Sequence, residues 1–215
     1  AYERKKMLYK YNIEGLPYEM VINSNPCIAY LMRDNTLLLQ ILTISHVYGH
    51  NDFFKNNRLF VEGTRAESTI EMFKSHADRI RAYIQDPSLG YENVERVLDA
   101  AHALRFQTTR TVGAKRLTYE QQKQRILDKY YQDTKTLSCL DKKKNILFPD
   151  LNKIPLEPTE DIIGFILEYG KLEEWESDIL RIVMEETQYF IPQIETKIMN
   201  EGWASYWHYR ILNKL

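Results

Sequence analysis

Glycine and proline are scarce in this chain, with 8 and 7 copies in 215 residues. So few chain breakers argue against a turn-rich all-β fold and leave room for long helices. Cysteine is rarer still. Cys27 and Cys139 are the whole supply, which excludes a disulfide scaffold and makes a reducing compartment the default, with a single bridge between the two left open. No apolar run approaches the roughly 20 residues that a membrane helix needs; the longest, around 37–44, is broken by Gln40 and Thr43. Neither sign of charge dominates. A net charge of −1 gives no electrostatic footprint for nucleic acid, and Lys142-Lys143-Lys144 is too short to supply one. The opening Ala1-Tyr2-Glu3-Arg4-Lys5-Lys6 is not a signal peptide. It lacks an initiating methionine, and with the helical character of both ends this suggests a portion lacking both termini.

What is present fits a globular, mainly α chain. Apolar residues make up 44% and charged residues 27%, enough to bury a core and too much apolar content for a disordered chain. Tyr2–Tyr11 reads as a short polar helix stopped by Gly15-Leu16-Pro17. Glu19–Ile22 and Cys27–Met32 have strand character around the turn chemistry of Asn23-Ser24-Asn25-Pro26, which predicts a small hairpin. From Thr36 to about Phe54 the pattern is helical. Leu37, Leu38, Leu39, Ile41, Leu42 and Ile44 cover almost every face, so this helix is expected to be central and buried. Further helices are expected over Ser68–Gln85, Tyr91–Leu104 and Tyr119–Tyr131, with Gln107–Thr118 a loop. Residues 137–158, carrying Pro149, Pro155 and Pro158, form a long surface excursion. Thr159 is the expected cap of a helix ending at Gly170. Leu172–Phe190 is a long helix, Pro192 a break or a new first turn, and about Gln193–Asn213 the last helix. The chain is read as one domain, 1–215.

Chemistry concentrates in two segments. Ser45–Asp52 places His46 and His50 at i, i+4, one turn apart on one helix face, where two imidazoles can serve one metal ion. Two histidines on a buried face can equally be satisfied by carboxylates or backbone. Asn200–His208 adds Glu201 and His208, two turns apart on one stripe with the small Ala204 and Ser205 between them. A carboxylate and three imidazoles make the donor set of a zinc, iron or manganese centre, so the expected metal ligands are His46, His50, His208 and Glu201. The zinc-peptidase helix H-E-x-x-H carries its base directly after the first histidine; here that position is Val47. If the chain is a hydrolase, Glu201 is the expected catalytic base, provided the three histidines are the ligands. Asp52 is a candidate to orient an imidazole N–H. Trp203 and Trp207 read as core packing, His76 as a half-buried histidine, and Glu186 or Glu195 as further acids able to face the cluster. Glu92, Glu95, Asp99 and His102 lack the spacing of a di-iron helix. Cys27 has no neighbouring base to make it a nucleophile.

Several stretches resemble the SpoVR family (stage V sporulation protein R-like proteins). They are Tyr18–Pro26, His46–Asn57, Pro192-Gln193, Met199–Ala204 and Trp207–Tyr209, and they span nearly the whole chain. Family members are longer at both ends. The resemblance implies a bacterial cytoplasmic protein linked to endospore formation and the spore cortex, in a family that also occurs in bacteria that do not sporulate. It lends no catalytic residues.

Two readings follow. In the first, a zincin-like helical arrangement holds a divalent metal, zinc first with iron or manganese as alternatives, and hydrolyses an amide in a protein or peptidoglycan-related substrate. In the second, the His/Glu cluster is structural and the protein regulates or scaffolds. Val47 favours the second; the density of ligating side chains favours the first.

Overall fold

The computed structural model describes residues 2–11, 19–110, 117–136, 147–156 and 159–214. The expected stop at Gly15–Pro17, Cys139 and most of the 137–158 excursion lie outside the described residues. The expected class holds: the chain is mainly α, with one two-stranded antiparallel sheet among the described residues. After helix α1 (Tyr2–Lys10), strands β1 (Glu19–Ile22) and β2 (Ile28–Leu31) pair with Glu19 opposite Leu31 and Ile22 opposite Ile28. Helices α2 (Leu37–Asn56), α3 (Arg58–Gly63), α4 (Thr69–Gln85), α5 (Tyr91–Leu104), α6 (Tyr119–Thr136), α7 (Ile162–Tyr169) and α8 (Glu174–Leu212) follow.

α8 is the spine. It packs against α2, α3, α4, α5 and α7, and its core face carries Ile179, Leu180, Ile182 and Val183. Leu180 and Val183 meet Ala101 of α5 and Ile163 of α7 in one buried cluster. The expected break at Pro192 does not occur; one 39-residue helix runs through it. A proline inside a helix forfeits one backbone bond. Here the fully buried Pro192 sits within the packed stretch of α8, and Thr196 Oγ1 donates to its carbonyl at 2.6 Å. Packing therefore outweighs the local propensity.

α2 departs from expectation in the opposite way. Its leucine-rich first half is exposed, with Leu37 at 76% and Leu38 at 68%, while the more polar second half buries Thr43, Ser45, Val47, Gly49, His50 and Phe53. Thr36 caps it, accepting from the Leu39 N–H at 3.3 Å. The face that meets α8 carries His46, Gly49 and His50, so hydrophobicity alone misplaces the burial.

The hairpin is tied down at its turn. Asn23 Nδ2 donates to Thr64 Oγ1 at 2.9 Å, and Tyr189 O–H of α8 donates to the Asn23 carbonyl at 3.3 Å. These bonds tie the turn that follows β1 to the end of α3 and to α8. α6 makes its described contacts with 147–156: Tyr119 O–H donates to the Leu151 carbonyl at 2.6 Å and Tyr130 meets Phe148 edge-on.

Asp161, rather than Thr159, caps α7. Its carboxylate accepts from the Gly164 N–H at 2.8 Å and the Thr109 hydroxyl at 3.1 Å, and it is only 4% exposed. Thr159 instead accepts from the Asp161 N–H. Replacing Asp161 with alanine is expected to cost about 1–2 kcal/mol, the upper range for a lost cap, read as a lower urea midpoint at unchanged m-value.

Candidate metal centre

α2 and α8 lie antiparallel along the stretch that carries the chemistry, since His46, Gly49 and His50 meet His208, Ala204 and Asn200 in turn. A glycine is required at 49. A Cβ there would sit 2.5 Å from the Ala204 Cα, closer than side chains tolerate. Without it the two backbones come close enough for short side chains to converge.

His50 Nδ1 donates to Asn200 Oδ1 at 2.9 Å. That bond fixes the tautomer and leaves the Nε2 lone pair free. His46 Nε2 and His50 Nε2 then share two carboxylates. Glu19 of β1 lies 3.6 Å from each imidazole nitrogen; Glu201 of α8 lies 3.4 Å from His46 and 3.9 Å from His50. These separations exceed an ordinary N–H···O bond, which is about 2.7–3.2 Å. They run from the edge of a tetrahedron of donors around one ion to a few tenths of an ångström beyond it. Bonds of about 2.0–2.1 Å give donor–donor distances of about 3.3–3.4 Å.

Glu19, His46 and His50 offer ligand atoms all within 4.8 Å of one another, the one group of this kind among the described residues. Glu19 is the member that sequence reading missed. It stands 27 positions before His46 (46 − 19) and has no motif with it; its place at the head of the expected hairpin, just before the histidine helix, is the one available signal. Glu201 joins the cluster but is the more open carboxylate, its side chain 55% exposed against 20% for Glu19. His208 comes beside His46, ring centroids 5.8 Å apart and nearly perpendicular. Phe54 stacks on the far side of the His50 ring at 6.2 Å. Among the described residues no lysine or arginine pairs with Glu19 or Glu201, so a cation held among the imidazoles is a natural counter-charge for the two carboxylates.

Several other expectations are revised. Asp52 does not orient an imidazole; it accepts from Trp203 Nε1 at 2.8 Å and from Asn56 Nδ2 at 2.9 Å, and Asn200 takes the role expected of it. Trp203 is 40% exposed rather than core, although Trp207 is half-buried. His76 is not half-buried but 2% exposed, held between Glu186 at Nδ1 (3.0 Å) and Glu185 at Nε2 (3.2 Å). Glu186 therefore faces His76 rather than the His46/His50 pair, and Glu195 is exposed. Cys27 is a free thiol that donates to the Ile22 carbonyl; burial pushes its pKa up, away from nucleophilic use.

Two openings border the centre. A cavity of about 800 Å³ on the hairpin side is lined by Asn23, Cys27, Asn51 and Phe54. A groove of about 450 Å³ runs along α8 and ends on Asn200 and Glu201.

These features define a helical protein in which a hairpin and two antiparallel helices bring imidazoles and carboxylates to one point. The chain belongs to the SpoVR-like family: the model of the family described as "SpoVR like protein" matches residues 1–215. It is 41% identical over 220 residues to the uncharacterized protein YcgB of Escherichia coli (strain K12), an alignment covering 97% of this chain and 42% of that protein. The chain thus spans less than half the length of this relative. No solved structure gives a significant match. Among the described residues no helix is long and apolar enough to cross a membrane.

Proposed function

We propose that this domain is a metal-dependent hydrolase of the peptidase or amidase type, acting in the cytoplasm in a pathway that serves the spore cortex. The observation that carries it is the group Glu19, His46 and His50, whose ligand atoms all lie within 4.8 Å of one another, with the Glu201 carboxylate 3.4 Å from His46. Glu19, His46 and His50 are the ligands, zinc is the preferred ion for this donor set, and His208 flanks them as a further imidazole. A divalent cation held there supplies Lewis acidity, polarising a carbonyl oxygen and acidifying water.

Assigning Glu19 as the third ligand frees Glu201. The missing base of the H-E-x-x-H pattern is then supplied from another helix: Glu201 is open to solvent, aimed at the same point, and able to take a proton from water and return it to the departing nitrogen. Asn200 keeps the His50 lone pair directed inward.

Elemental analysis of the purified protein tests this directly. Near-stoichiometric zinc, lost in His46→Ala with the fold retained by circular dichroism, is the expected result. Metal-free wild-type protein with unchanged thermal stability in His46→Ala would assign the cluster a structural role in a regulatory or scaffolding protein.

A further inference from the structure

The groove that ends on Asn200 and Glu201 is built to select. Its α8 wall carries Phe190, Ile194, Lys197 and Glu201 at successive turns, and the end of α5 contributes Arg105 and Phe106 across from it. Arg105 lies over the Phe106 ring, 4.7 Å from its centroid. Neither Arg105 nor Lys197 has a carboxylate partner among the described residues. Glu201, at the groove's end, is the one carboxylate of its lining. The groove is therefore apolar along its walls, cationic in its middle and acidic only where the proposed chemistry lies.

Spacing along the helix sets the register of an occupant. At about 1.5 Å per residue, Lys197 stands about 6 Å from Glu201, Ile194 about 10 Å and Phe190 about 16 Å. An extended peptide advances about 3.3 Å per residue. A peptide running along α8 with its scissile bond at Glu201 thus brings its second residue level with Lys197, its third level with Ile194 and its fifth level with Phe190. A compact anion would use the cations and leave the elongated apolar walls empty.

We infer that this groove binds an acidic peptide, carrying a carboxylate side chain two residues from the reacting amide and apolar side chains beyond it. The substrate class rests on the hydrolase reading; the groove's binding preference does not. In the reaction the amide C–N bond breaks, the water oxygen bonds to the carbonyl carbon, and the water proton taken by Glu201 passes to the amine nitrogen.

Binding of two fluorescein-labelled hexapeptides, one with glutamates and one with lysines among leucine and phenylalanine residues, tests the inference by anisotropy with the zinc-loaded protein. The acidic peptide is expected to bind roughly tenfold tighter. The preference should collapse as salt rises from about 0.01 to 1 M, where the Debye length shrinks from about 30 to 3 Å. Lys197→Glu and Arg105→Glu should each weaken it while zinc content stays at the wild-type value. Equal affinity for the two peptides, or a preference untouched by both charge reversals, would overturn the inference. His46→Ala separates the two proposals: selective binding that survives metal loss supports the groove on its own. Selective binding by zinc-loaded wild type without cleavage leaves the groove standing and removes the hydrolase.

Discussion

Gly49→Ala should loosen the α2–α8 pair and empty the metal centre together. The added methyl would fall 2.5 Å from the Cα of Ala204, a backbone atom that no rotamer change can move aside. Overpacking of this kind costs about 1–3 kcal/mol or more, and each kcal/mol lowers the melting temperature of a domain of this size by roughly 2–4 °C. The helices must separate by a fraction of an ångström or more, which also parts His50 from Asn200 and His46 from Glu201. Gly202 is the control. It sits in the exposed interior of α8, where an added Cβ would meet nothing within 4 Å, so Gly202→Ala should gain up to about 1 kcal/mol from helix propensity. Differential scanning calorimetry and zinc content of the two variants decide the matter; equal, small effects from both would show that the helix approach is not tight at Gly49.

Glu19→Gln and Glu201→Gln are expected to fail in different ways. Glu19 is the more enclosed carboxylate and equidistant, at 3.6 Å, from both imidazole nitrogens. Removing its charge should weaken zinc by at least the 10–100-fold seen when merely a ligand's supporting partner is lost. Glu201→Gln should keep its zinc, since three donors remain, and lose turnover by about 10²–10⁴, the share a general base supplies. Zinc titration with a competing chelator gives the first number and hydrolysis of the acidic hexapeptide the second. Zinc loss in Glu201→Gln as severe as in Glu19→Gln would make Glu201 a ligand and leave the reaction without a base.

Much of the fold and part of the site are legible in the amino-acid order alone. The scarcity of breakers gives the helical class, Asn23–Pro26 gives the hairpin, and two short segments give His46, His50, Glu201 and His208. What is not legible depends on tertiary context. The leucines at the start of α2 point outward because α8 packs on the face of His46, Gly49 and His50, and no single-helix pattern names its partner. Pro192 reads as a break, yet the packing that buries it outweighs one missing backbone bond. Glu19 carries no motif at all; only the folding back of the hairpin, pinned by Asn23 to Thr64 and by Tyr189, brings it to the histidines. Asp52 stands nearest to the histidines in sequence and so reads as their partner, but it faces Trp203, and Asn200 of α8 meets His50 instead.

The centre's parts are also spread unevenly along the chain. Glu19, His46 and His50 lie within the first 50 residues, whereas Glu201 is 151 residues beyond His50 (201 − 50). At roughly 5–20 residues per second, a ribosome reaches Glu201 about 8–30 s after His50. The donors are thus made early, but the carboxylate that would act on water, and the Asn200 that aims His50, are made late. On the proposed reading, a chain broken off before α8 would carry the metal-binding groups without the carboxylate that uses them, so synthesis order itself would keep an unfinished molecule from acting on its neighbours.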